Sequence, residues 1–242
     1  MWRDELRGIY HIALKDMRTY YLKPPAISWG VVFPVVWILA FYLRNPKNFD
    51  DLVPGLIAMT ILFSTTAAEA VVINFELRIG SLERLLLAPM SIASVLIGKV
   101  LGGFIFGLLM TVIVTSVSTV YLGLHPDVLA LALITVPSLL VFSSMGAFLS
   151  VSVKEVFEAQ TLLNLPRFIM IFLCGVVYPI LAMPKWLQYL AALMPLTYTV
   201  DGLRRSFSFS STTPVILDLI VLVGYFLVLI IPAIRMLNKK FE

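Results

Sequence analysis

Long apolar runs separated by short polar segments organise this chain. The runs lie at about 26–43, 52–75, 93–122, 127–152, 162–182 and 214–236, each near or above the roughly 20 residues that a helix needs to cross a bilayer's hydrocarbon core. Ahead of them the period changes. Leu6, Ile9, Tyr10, Ala13, Met17, Tyr20 and Tyr21 recur three or four apart, with Arg3, Asp4, Arg7, Lys15, Asp16 and Arg18 largely off that stripe, which predicts an amphipathic helix at the membrane surface over 1–22. Between the second and third runs stands FELRIGSLERLLLAP, Phe75–Pro89. Gly80 permits a bend, Ser81 suits an N-cap, and Glu83 suits the positive end of a helix dipole. Leu82, Leu85 and Leu86 then share one face, Arg84 points elsewhere, and Pro89 closes a short helix expected from about Leu82. The stretch 183–204 is too short for a span and is broken by Pro184 and Pro195, yet carries Trp186, Leu187, Leu190, Leu193 and Met194 at helical spacing. It predicts a half-inserted or interfacial helix pair.

Composition turns these runs into a class. Of 242 residues, 60% are hydrophobic and 13% charged, and the mean hydropathy is +0.97, whereas soluble domains carry nearer 25% charge. The expectation is an all-α integral membrane protein with six transmembrane helices: an interface helix over 1–25 and a six-span transmembrane domain over 26–242, with no cleaved signal. The net charge of +4 is informative through its placement. With the N-terminus in the cytoplasm, thirteen of the 18 Lys and Arg fall inside, and only Arg44, Lys47, Lys185, Arg204 and Arg205 fall outside. Both termini are therefore expected in the cytoplasm.

The chemistry inside the apolar runs is sparse. Glu69 is a carboxylate within the second run and must face protein, water or a cation, since a charge there costs about 2.5–3.5 kcal/mol. Arg167 is expected to snorkel to the cytoplasmic interface or to pair with Glu69. Gly98, Gly102, Gly103 and Gly107, in two pairs spaced by four, predict close helix packing. Thr111, Thr115 and Ser118 offer bonds across helices. The single Cys174 and the isolated His11 and His125 make no metal site. Gly98-Lys99 is followed by Val100, so there is no phosphate-binding P-loop, and hydrolase motifs are missing too. Catalytic residues and a cofactor held by this chain are not expected.

Two segments carry a resemblance. Gly80, Ser81, Leu82, Glu83, Arg84, Leu85 and Pro89, followed by Gly98-Lys99, resemble the G-[TS]-L-E-x-L-x-x-x-P…G-K signature of ATP-binding-cassette (ABC) type-2 transporter permeases, with Arg78 standing where relatives often have an acid. Pro184, Trp186, Leu187, Pro195, Leu196, Thr197, Tyr198, Asp201, Leu203 and Arg204 are similar to the same family's external re-entrant segment, with Met194 in place of its usual Asn. The resemblance implies a drug, lipid or polysaccharide exporter subunit in a prokaryotic plasma (inner) membrane. Its short cytoplasmic coupling helix between spans 2 and 3 would touch a separate ATPase, which binds the ATP and Mg. Two ATPase copies and a homodimer or heterodimer of permeases are implied. The rival reading is a stand-alone ion-coupled carrier or channel using Glu69 as its translocation pathway residue.

Overall fold

The computed structural model describes residues 2–28, 32–44, 50–86, 90–153, 155–208 and 214–241, and the regular structure among them is helical throughout. Helix α1 (Trp2–Asp16) runs into a π-helical turn (Met17–Tyr21), the single turn α2 (Pro24–Ile27) and α3 (Phe33–Arg44). There follow α4 (Val53–Arg78), α5 (Ser81–Leu86), α6 (Ile92–Leu122), α7 (Val128–Ser152) and α8 (Val156–Leu173). Last come α9 (Lys185–Ala192), α10 (Pro195–Ser206) and α11 (Val215–Phe241). Among the described residues α6, α7 and 215–240 are long and apolar enough to cross a membrane.

Helix α4 is the axis. Every side chain from Val53 through Thr66 is buried, which is why this run shows no polar face. It packs against α6, α7, α8 and α10, while α11 packs chiefly on α7. The outward faces stay apolar: Ile105, Leu109, Val112 and Ile113 of α6 and Ile220, Val223 and Val228 of α11 are all exposed, as suits helices facing hydrocarbon. At 31 residues, α6 is about 46 Å long and overshoots a core of roughly 30 Å. Its ends are chemically defined: the Ser91 hydroxyl accepts from Ser94 N–H at 3.2 Å, and Gly123 closes the helix in the left-handed region (φ 66°).

The fifth apolar run folds differently from the expectation of a span over 162–182. Val156 already starts α8, so most of the KEVFEAQ loop is helical, and the helix stops at Leu173. Lys154 lies outside the described residues. Gly175 adopts φ 79° and Pro179 breaks the ladder, leaving a turn and a 3₁₀ stretch at Ile180–Ala182.

The face of α1 is also rotated from the predicted stripe. Ile12, Ala13 and Asp16 are buried, whereas Leu6 and Tyr10 are 59% and 62% exposed. The helix runs parallel to the first half of α6: Glu5 meets Ser91 and Ser94, Ile12 meets Gly98, and Tyr21 meets Phe106. The small residues of α6 make this possible. A Cβ on Gly98 would sit 3.0 Å from Ile12 Cβ, and one on Gly102 3.2 Å from the Tyr21 ring. The two glycines of each pair share a face: Gly98 and Gly102 turn to α1 and the π-helical turn after it, Gly103 and Gly107 to α4 and α7.

Candidate functional site

The corner between α4 and α6 is built from Gly80 outward. Gly80 holds φ 69°, a value that disfavours any side chain, and so reverses the chain after α4. Helix α5 then begins at Ser81, one residue earlier than expected. The Ser81 hydroxyl donates back to the Glu76 carbonyl at 3.5 Å, while Arg84 N–H reaches the Gly80 carbonyl at 3.4 Å. Leu82 is fully buried in a cluster with Ile12, Ile73, Leu96, Val151 and Leu237. Leu85 packs at its edge and Arg84 is exposed. The short helix is therefore anchored by one leucine in a buried cluster to which five other helices contribute, with Arg84 turned outward. The Glu83 and Leu86 side chains and Pro89 lie outside the described residues.

Directly beneath the corner is a buried charge cluster. Lys99 of α6 is fully buried, its Nζ 2.6 Å from Glu76 Oε2 and 3.1 Å from Asp16 Oδ2. Lys15 completes it, bonding Glu76 Oε1 and lying 3.0 Å from Asp16 Oδ1. Burial works against the Lys15 charge, but Asp16 and Glu76 raise its pKa above the ordinary value overall. At the foot of α1, Ser94 and then Ser91 donate to Glu5 and hold its carboxyl below the usual range.

Two turns deeper along α4, Glu69 accepts from the Tyr21 hydroxyl at 2.7 Å and from Gly103 N–H at 3.1 Å, both at Oε1. Its Oε2 has no hydrogen-bond partner among the described residues. Arg167 neither snorkels nor pairs with it. The guanidinium is buried, donates to Thr66 Oγ1 at 2.7 Å and to Asn164 at 3.0 Å, and lies 5.2 Å over the Phe63 ring. Thr111 and Ser118 likewise bond back to their own helix, at the Gly107 and Val114 carbonyls, rather than across it.

The predicted helix pair over 183–204 divides by exposure. On α9, Trp186 and Tyr189 are exposed. On α10, Pro195, Leu196, Thr197 and Asp201 are buried, with Thr197 donating to the Ala191 carbonyl and Tyr198 to that of Ala192. Arg204 donates to the Gly175 carbonyl at 2.9 Å, and Arg205 lies between Asp201 and Asp218 at 3.7 and 3.3 Å. Pro184 stands at the start of α9. This end is a packed plug with one aromatic helix outside it.

Sequence reasoning singled out Glu69 and Gly98-Lys99 but missed Asp16, Lys15 and Tyr21 as their partners. A lysine inside an apolar run, seven residues into 93–122, was the available signal, because such a charge demands acids nearby.

The profile of the ABC-2 type transporter family matches residues 7–208. Among curated proteins, "Inner membrane transport permease YadH" of Escherichia coli K12 is 26% identical over 235 residues, covering 93% of this chain and 88% of that protein. "Putative transport permease ycf38" of Cyanophora paradoxa is 27% identical over 210 residues, 78% of this chain and 70% of its own. "Heme exporter protein B" of Pseudomonas aeruginosa is 26% identical over 168 residues, 66% and 75%.

Proposed function

The chain belongs to the ABC-2 type transporter family, and from that premise we propose that it is the membrane-spanning permease subunit of an ATP-driven exporter, working as a dimer with a separate cytoplasmic ATPase. It is a multi-pass membrane transport protein of permease kind. The finer reading places six spans in an inner membrane, with both termini and α5 in the cytoplasm. The supporting observation is the α4–α5 corner. A left-handed glycine carries a short helix whose Leu82 is anchored in the bundle while Arg84 faces water. A push on such a helix reaches α4 and α6 directly, since both are joined to it in sequence. Nucleotide binding closes the ATPase pair, α5 follows, and the two permeases open a path between them.

Glu69 belongs to a joint between Tyr21, α4 and α6 in this account, not to an ion pathway. The relatives carry permease and exporter names, and cargo is left to experiment. The test is purification in mild detergent with a photo-crosslinker at Arg84. Recovery of an ATP-binding subunit crosslinked to α5 is the expected result; ATP-independent transport by the purified chain alone would refute the proposal.

A further inference from the structure

The joint between α1 and the bundle is made by charge as well as by packing. Lys15 and Asp16 come from α1, Glu76 from the last turn of α4, and Lys99 from α6, and the four charges balance. Glu76 is four residues before Gly80, and its carbonyl takes the Ser81 hydroxyl. The turn that holds the cluster is thus also the root of α5. Above it, Gly98 and Gly102 seat α1 against α6, and Tyr21 carries the contact on to Glu69, two turns further into the bundle.

Resting on the reading of α5 as the ATPase-facing helix, we propose that Lys99, Asp16 and Glu76 are positioning residues. They form a charge lock that makes α1 and the α4–α5 corner a single lever, so that a displacement imposed on α5 arrives, with α1, at the Tyr21–Glu69 contact in the middle of the bundle. The physical case rests on the difference between apolar and ionic joints. An apolar face slides past its neighbour at small cost, because one methyl contact replaces another. A buried ammonium has less freedom: moving α1 by one residue along α6 breaks Lys99–Asp16 and Lys15–Glu76 together, so that the buried Lys99 and Asp16 each drop from two ion-pair partners to one with no water to replace the loss. Apolar packing alone would hold α1 in place; the fully buried Lys99, shared between two elements, fixes its register. Lys15, 37% exposed, seals the cluster from the water side.

The lock makes a prediction about relative motion. The chain is assembled in nanodiscs with the ATP-binding subunit that purifies with it. Spin labels are placed on Tyr10→Cys of α1 and Arg84→Cys of α5, both exposed; the native Cys174 is buried. A second pair, Arg84→Cys with the exposed Phe157→Cys of α8, reports movement of the corner against the rest. Distances are read by pulsed electron spin resonance without nucleotide and with ATP and vanadate. The lock requires the first distance to change by less than about 1.5 Å, one residue's rise along a helix, while the second shifts. In Lys99→Met/Glu76→Gln, which keeps the buried charge balanced, the first distance is expected to broaden and to shift with nucleotide, while Lys99→Arg retains the fixed distance. If the native first distance follows nucleotide as the second does, or if it stays fixed in the double variant, the lock is overturned and α1 is held by packing alone. A native complex in which the second distance does not move, or from which no ATP-binding subunit is recovered, overturns the functional reading and the lock with it.

Discussion

A side chain added at Gly103 has nowhere to go: its Cβ would lie 2.6 Å from Ser143 Oγ and 2.7 Å from Glu69 Oε1. Gly103→Ala should therefore push Glu69 away from Tyr21 and destabilise by about 1–3 kcal/mol. Gly224→Ala, with nothing within 4 Å, should be neutral, and thermal unfolding of the two variants in detergent gives the comparison. Glu69 itself offers a sharper contrast. Gln at position 69 keeps an oxygen for Tyr21 and Gly103, so Glu69→Gln should retain stability and transport. Glu69→Leu orphans both donors and should cost about 1–3 kcal/mol. Loss of transport in Glu69→Gln at full stability would favour the ion-carrier reading. Glu69 stands out in the sequence because an acid in an apolar run is expensive, but its partner Tyr21 is 48 residues away and nothing in the spacing announces it.

Among the elements, the long apolar runs at 52–75, 93–122 and 127–152 were readable to within a few residues as α4, α6 and α7, because length and apolarity alone decide a buried or lipid-facing helix. The orientation of α1 was not readable. Periodicity assumes that charge faces water, and Asp16 turns inward because Lys99 waits there. Likewise the fifth run looks continuous by hydropathy, yet its backbone breaks where Gly175 and Pro179 disfavour helix. The docking of α1 is also expected to respond to acid. The Glu5 pKa is lowered by Ser94 and Ser91, so its contribution is whole above the free value of 4.5 and is lost as pH falls through the lower folded value. Amide protection along α1, each rate referred to its unstructured value at the same pH, should then fall in acid more steeply than along α7, and Glu5→Gln should remove the difference. Equal acid response in both proteins would refute this.

For the whole molecule, the proposed topology puts α5 and α9 on opposite sides of the membrane. A membrane-impermeant maleimide added to intact cells should label Tyr189→Cys on the exposed face of α9 and spare Arg84→Cys until the membrane is opened. The reverse pattern would invert the topology. The Gly80 bend and a short helix from about residue 82 were legible in the run FELRIGSLERLLLAP, since a glycine turn and an apolar pattern are local signals. What those residues rest on was not, because the buried network beneath them is assembled from segments as much as 83 residues apart.

The length of α6 bears on where such a protein can work. A rod about ten residues longer than a typical hydrocarbon core requires has length to spare, and α1 lies against its first half. Lipid chains that are somewhat shorter or longer then cover more or less of the rod's wall without altering the spacing between its base and the parts that rest on it. ATP turnover should accordingly stay nearly level in vesicles made from short-chain and long-chain lipids, a tolerance useful in cells that remodel their fatty acids with temperature.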